Sequence, residues 1–290
     1  MRARVTTHVL LLGSAVALVA SACSSSSSST SPSTTSTTTT TTTLPAYTPV
    51  FTKGPCNDEV PADPRIECGT LTVPEDRTKP DGRKVVLPVA TIHTADPNPA
   101  PDPVVYFQGG PGFAGLPAAQ GFLAHGYAGN RDVIIFDQRG TGESQPSLAC
   151  PEVYDANAII NGGPESFDAM HEQFQTAVLA CRDRLRASGV DLDQYNTRAV
   201  ADDTADLRRA LGIDEWNLLG VSYGTTVALQ TMRAHPEGIR SVLIDSVFPT
   251  DAPWNATKIA TDFARVKRVF FDGCANDAAC HAPSGSSRLS

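Results

Sequence analysis

The chain has no surplus of basic charge, no second long apolar run and no C-x-x-C pair, and each absence closes off a class of function. Lys and Arg number 23 against 31 Asp and Glu, a net charge of −8. The basic face that phosphate binding requires is therefore missing, and a nucleic-acid partner is not expected. Only one apolar run approaches membrane length, and it sits at the extreme N-terminus, which argues against an integral membrane protein. Without C-x-x-C, and with no histidine pair beside the cysteines at ligand spacing, a zinc site has no ligand set. What remains is a chain of 290 residues, 41% hydrophobic and 19% charged, enough for a packed core in one or two domains.

The N-terminus reads as an address. Met1-Arg2-Ala3-Arg4 is a basic start, Val9 to Ala20 is apolar, and Ala20-Ser21-Ala22 supplies small residues for cleavage, so residues 1–22 read as a signal peptide. Cys23 follows directly and resembles the lipidated cysteine of a bacterial lipoprotein box; plain cleavage and release is the alternative. Ser24 to Thr43 is an almost unbroken Ser/Thr tract with no apolar periodicity, so residues 23–50 read as a flexible stalk and 51–290 as the folded part. The six other cysteines fall into sequence-local pairs, Cys56 with Cys68, Cys150 with Cys181 and Cys274 with Cys280. Short loops favour this assignment among the fifteen connectivities possible. Disulfides need an oxidising place, so the expected location is extracytoplasmic, either lipid-anchored to the cell membrane or secreted.

Within the folded part, apolar runs at Cys68 to Val73 and Lys84 to Thr94 predict strands separated by the turn Pro80-Asp81-Gly82. Val104 to Gln108, Asp132 to Asp137, Trp216 to Gly220 and Ser241 to Ser246 are short runs bounded by glycine or polar residues, suited to strands buried on both faces of a parallel sheet. Helical spacing occurs between them. Ser166 to Ser188 carries Phe167, Met170, Phe174, Val178, Leu179 and Leu185 on a stripe. Thr197 to Leu211 carries Val200, Thr204, Leu207 and Leu211, with Thr197 as the expected N-cap and Gly212 as the stop. Thr225 to Ala234 and Ala256 to Phe271 are also expected to be helical. Strands alternating with helices predict an α/β architecture with six strands in a mostly parallel sheet.

Three glycine-rich junctions carry the chemistry. Gly220-Val221-Ser222-Tyr223-Gly224 lies between a strand and a helix, the context that a nucleophilic serine on a sharp turn requires. Such a turn leaves no room for side chains two positions either side of the serine, and it pushes the Ser222 hydroxyl clear of the sheet. The Tyr223 amide, at the helix N-terminus, is then placed to stabilise an oxyanion. Gly109-Gly110-Pro111-Gly112 follows the third predicted strand and lets backbone amides approach a substrate closely; Gly110 is the favoured second oxyanion donor and Gly109 the neighbouring option. Asp137-Gln138-Arg139-Gly140-Thr141-Gly142 reads as structural, with Asp137 and Arg139 expected to pair and brace the loops.

In this order and spacing, Q-G-G-P-G, D-Q-R-G-T-G and G-V-S-Y-G resemble the α/β-hydrolase fold, and more narrowly the proline iminopeptidase and secreted tripeptidyl aminopeptidase family. G-T-L-T-V-P-E-D-R from Gly69 to Arg77, together with the paired cysteines, resembles secreted actinobacterial members; the similarity runs from about Phe51 to Cys280. The resemblance implies a serine exopeptidase that releases residues or tripeptides from peptide N-termini through an acyl-enzyme on Ser222, with no metal or organic cofactor. Gln108 stands where the single-residue iminopeptidases commonly have His. A carboxylesterase or lactonase on the same fold, acting on a small ester, and a non-catalytic remnant are the alternative readings.

A serine hydroxyl needs an imidazole to take its proton and a carboxylate to orient that imidazole, and on this fold the chain order is Ser, acid, His. Only His235 and His281 follow Ser222. His235 precedes Pro236 at the far end of the helix and reads as a surface residue. His281 lies in a closing stretch with no periodic pattern, and Asp245, at a strand end, reads as structural. The family's lid, last strands, acid and histidine would follow position 280. The expectation is therefore a partial hydrolase domain, truncated before the lid, with no evident catalytic His or acid and inactive by itself.

Overall fold

Short runs of Val, Ile, Leu and Phe, punctuated by glycine, become the central strands of a single mixed sheet. The computed structural model describes residues 47–155, 166–251, 256–277 and Cys280. The expected signal peptide, Cys23, the Ser/Thr tract and His281 lie outside them. The strands are β1 (Val50–Gly54), β2 (Ile66–Pro74), β3 (Lys84–Ile92), β4 (Val104–Phe107), β5 (Val133–Phe136), β6 (Trp216–Val221) and β7 (Ile239–Asp245). The helices are α1 (Ala119–His125), α2 (Phe167–Ala187), α3 (Thr197–Ala210), α4 (Tyr223–Ala234) and α5 (Ala256–Asn276). Spatial order is β1-β2-β3-β5-β4-β6-β7. The first three strands and β5 pair antiparallel, whereas β5, β4, β6 and β7 run parallel.

Alternation along the central strands fills two layers, as a pleated strand demands. Val105 and Phe107 of β4, Ile134 and Phe136 of β5 and Leu218 of β6 face one core, which α3 and α4 cover with Val200, Leu207 and Val227. Tyr106, Val133 and Ile135 point to the other face, where Leu116 and Ala119 close the layer. The described cysteines pair as Cys56–Cys68, Cys150–Cys181 and Cys274–Cys280, with Cα atoms 5.1, 5.5 and 5.1 Å apart.

Several expectations need correction. The sheet has seven strands, not six: β1 lies at the sheet's edge against β2, is mostly exposed, and so carries no apolar alternation to announce it. Asn196, not Thr197, caps α3, its side chain accepting from the Ala199 amide at 3.0 Å. The Thr197 hydroxyl is instead hydrogen-bonded to Tyr223 Oη at 2.8 Å. The apolar stripe of α2 is only partly buried. Ala177, Cys181 and Leu185 pack inward, while Phe174, Val178 and Leu179 are exposed, because α2 meets its neighbours through the Cys150–Cys181 bridge and a small cluster with Leu148 and Val190.

Asp137 and Arg139 do not pair. Asp137 accepts the amides of Gly115, Leu116 and Glu143, fixing two loops at once. Arg139 turns the other way and forks onto Asp203 of α3, with Nε–Oδ2 2.7 Å and Nη2–Oδ1 2.6 Å, both side chains fully buried. Its third nitrogen donates to the carbonyls of Glu75 and Gln194. Asp203 also accepts from Arg77 at 2.7 Å, so one carboxylate joins the β2–β3 connection, the loop after β5 and α3. Removing one member of such a buried pair leaves a charge uncompensated, whereas an apolar replacement of the whole set need not destabilise. Asp203→Ala is expected to lower stability by about 3–5 kcal/mol in urea denaturation, since it leaves buried Arg139 without a carboxylate while Arg77 keeps Asp206 at 2.8 Å. A change below 1 kcal/mol would remove the clamp from the account of the fold.

At the opposite end of the sheet, Asp102 gathers the strand starts. It accepts from Arg131 Nε at 2.9 Å and from Asn217 Nδ2 at 2.7 Å, and Arg240 lies 3.2 Å away. The Arg131 bond, then the Asn217 bond, hold its carboxyl down at about 2. A depressed carboxylate contributes stability above its unfolded value, near 4, and loses it as pH falls toward 2. Asp102→Asn should therefore flatten the acid limb of a stability–pH curve between about pH 4 and 2. An unchanged limb would show that other carboxylates govern acid unfolding.

Candidate active site

The sharp turn predicted around Ser222 is present between β6 and α4. Ser222 has φ 55° and ψ −122°, a left-handed backbone that a non-glycine residue adopts only when its surroundings enforce it. The enforcing contacts are visible. A Cβ on Gly220 would stand 2.6 Å from the Gly224 carbonyl carbon, and one on Gly224 would run into the Phe107 backbone of β4. The two glycines therefore let the start of α4 settle on β4, and the serine between them takes the strain. Ser222 N–H donates to the Asp245 carbonyl at 2.9 Å, and the Ser222 carbonyl accepts from the Thr225 amide and hydroxyl. Ser222 Oγ makes no capping bond to its own helix, and the residue is exposed.

Because β4 and β6 are parallel neighbours, with Phe107 in register with Gly220, the chain leaving β4 passes beside the serine. A Cβ on Gly109 would lie 3.0 Å from Ser222 Cβ and 3.5 Å from Ser222 Oγ. The Gly109 amide is occupied, donating to Gln108 Oε1 at 3.0 Å, and the same oxygen accepts from Tyr106 Oη at 2.7 Å. Gly110 has φ 116°, open to glycine alone, and is exposed. In the sequence Gln108 stands out only as a departure from a family pattern; its hold on the Gly109 amide is a feature of the tertiary structure. The site lies outside the carboxyl ends of the parallel strands, where chain connections diverge to either side of β4, the usual place for ligands in such sheets.

A cleft of about 830 Å³ opens beside this turn, lined by Gly112–Ala114, the loops after β5 from Gln138 to Tyr154, and Tyr195, Asn196, Val200 and Tyr223. Periodicity gives no signal for Leu148, in irregular chain, or for Val153 and Tyr154, in a helical stretch at 151–155, which all lie next to the Cys150–Cys181 bridge. Tyr195 Oη donates to Glu75 at 2.9 Å, and burial, followed by that carboxylate, pushes its phenol well above the ordinary value.

The other sequence candidates lie elsewhere. His235 caps α4 at its far end and bonds Asp202 at 2.6 Å; twelve residues of helix, about 18 Å, separate that end from Ser222. The Asp245 side chain accepts from Ser246 Oγ at 3.0 Å, while its backbone holds Ser222. The described residues hold no further sequence candidate near the serine. One group of possible metal ligands occurs among them, Cys150, Glu152 and Cys181, and its two cysteines are joined to each other.

Comparison with known proteins gives the family of the fold. Residues 102–280 match the alpha/beta hydrolase fold family. The chain is 31% identical over 234 residues to tripeptidyl aminopeptidase of Streptomyces coelicolor, covering 74% of this chain and 42% of that protein. It is 29% identical over 223 residues to serine protease Hip1 of Mycobacterium tuberculosis, covering 73% and 42%. It is 28% identical over 163 residues to proline iminopeptidase of Neisseria gonorrhoeae, covering 54% and 37%. The chain thus spans about two-fifths of the length of the curated relatives it matches. With a serine held at positive φ between two sterically required glycines and a family match over more than half its length, the chain belongs to the alpha/beta hydrolase fold family.

Proposed function

We propose that Ser222 is the nucleophile of a serine peptidase that removes residues or tripeptides from peptide N-termini. The observation that carries this reading is the exposed, uncapped Ser222 hydroxyl on a strained turn beside the Gly109–Gly110 bend. In this reading Ser222 Oγ adds to the scissile carbonyl carbon, its proton passes to a base, and the carbonyl oxygen becomes an oxyanion. The Tyr223 amide at the N-terminus of α4 is the first oxyanion donor. Gly110 supplies the second, since the Gly109 amide is already committed to Gln108. Collapse, with the base passing that proton to the leaving nitrogen, expels the amine and leaves an acyl-enzyme, which water then hydrolyses. The peptidase names of the relatives support peptides as substrates.

The base and its orienting acid are not assigned to any described residue, since His235 is engaged with Asp202. Residues 1–22 as a signal peptide, Cys23 as a lipid anchor and residues 23–50 as a stalk would hold the hydrolase domain, 51–290, outside the cytoplasm. Three disulfides among the described residues support that location. No described helix is long and apolar enough to cross a membrane.

A fluorophosphonate probe is expected to label Ser222 slowly, with Ser222→Ala unlabelled and added imidazole accelerating the reaction in proportion to its concentration. Mass spectrometry locating the label on another residue would sink the assignment. Gly109→Ala should slow the same labelling at least tenfold, because the new methyl sits against Ser222 Cβ. An unaltered rate would place the Gly109 bend outside the site.

A further inference from the structure

We propose that α5 is a membrane-surface helix, built to lie in the interface of a bilayer that carries anionic lipid. No described side chain of α5 is buried, whereas each of α1 to α4 buries at least one. Along its 21 residues Ile259, Phe263, Val266 and Phe270 recur at spacings of four, three and four, which places them on one face of the helix. All four are more than half exposed, Phe263 by 65% and Phe270 by 64%. None of them packs into the buried clusters of the sheet.

The charge of α5 is segregated from that stripe and mostly positive. With 3.6 residues per turn, Arg265, Arg268 and Asp272 fall on the opposite face, and Lys267 stands beside the stripe. Four cations against two carboxylates, Asp262 and Asp272, leave the helix at +2 in a chain of net charge −8. Lys258 is engaged with Asp262 at 2.6 Å, while Arg265, Lys267 and Arg268 make no ion pair among the described residues. Lys267 Nζ lies 6.0 Å from the centre of the Phe263 ring. From there a lysine can keep its methylenes against apolar surface and its ammonium among headgroups.

Charge selects the occupant of this face. A second copy packed α5 against α5 would set two basic helices side by side, like charge against like. An anionic bilayer instead offers headgroups to the free Arg and Lys, and its acyl boundary receives the whole Ile, Phe and Val stripe without a matching pocket. The helix would lie flat, its apolar face about 5–10 Å into that boundary. It does not span, since no described helix is long and apolar enough to cross a membrane.

Lipid binding by α5 is independent of Ser222, so either reading can fail alone. The full chain is mixed with vesicles of phosphatidylcholine alone, or of phosphatidylcholine and phosphatidylglycerol in equal amounts, and backbone hydrogen exchange is followed by mass spectrometry. Residues 256–276 are expected to exchange at least tenfold more slowly with the mixed vesicles and to change less than twofold with phosphatidylcholine alone. This local readout keeps any anchoring through the N-terminus from being mistaken for α5. Phe263→Asp combined with Phe270→Asp should abolish the protection. Arg265→Glu combined with Arg268→Glu should weaken binding to the mixed vesicles at least tenfold, with circular dichroism of both variants matching the parent. If either variant misfolds, the parent's dependence on phosphatidylglycerol decides by itself. Equal protection by both kinds of vesicle, none by either, or protection that survives both double variants would overturn the membrane assignment. Protection of 256–276 that grows with chain concentration in the absence of vesicles would overturn it too, and would give the face to a second copy.

Discussion

The structure depends on how closely the start of α4 can approach the backbone of β4. Gly224 packs on Phe107 where no side chain would fit, and Gly220 makes room for Gly224 in turn. That approach bends the chain sharply enough to drive Ser222 to positive φ. The strained serine is thus a consequence of packing two elements together and is held in place by the core that does so. Phe107, Phe136, Leu218 and Val227 are all buried in that same cluster. The energy that maintains the strain comes from burial, at roughly 25 cal/mol per Å² of apolar surface, and is spread over many residues.

The two ends of the parallel strands carry different work. At their amino ends, Asp102 ties β4, the approach to β5, β6 and β7 through Arg131, Asn217 and Arg240. At their carboxyl ends, the Gly-rich bend after β4, the Asp137 loop after β5 and the Ser222 turn after β6 converge. Buried charge supports the second end indirectly. Arg139 and Asp203 lock the loop after β5 to α3, and Asp137 holds the Gly115–Leu116 segment. The cleft wall is therefore built on loops whose polar groups are satisfied inward, leaving an uncharged surface toward solvent.

Besides Phe113 and Tyr154 at the cleft, exposed apolar side chains occur on β7 and α5. Leu243 of β7 is 62% exposed, and Ile259, Phe263, Val266 and Phe270 of α5 are exposed as well. Strand β7 forms the sheet's edge, opposite β1. An edge of this kind offers unpaired backbone groups to other chains.

The sequence by itself determined the alternation of strands and helices, the positions of the central strands to within a residue or two, and the serine turn. These are local matters: buried runs of Val, Ile and Phe leave a periodic trace, and a strand-to-helix turn around a serine demands glycine at fixed offsets. Only the tertiary structure decided that Arg139 partners Asp203 instead of Asp137, because those residues are 64 positions apart and spacing carries no information on such a pair. It also decided that Asn196 caps α3, since Thr197 was drawn off by Tyr223, and that the apolar stripe of α2 is partly left in solvent. Edge strand β1 gained its place from pairing with β2, a long-range backbone contact with no side-chain signature. The cleft belongs wholly to this second category, because its walls come from five separate stretches of chain that only the sheet brings together.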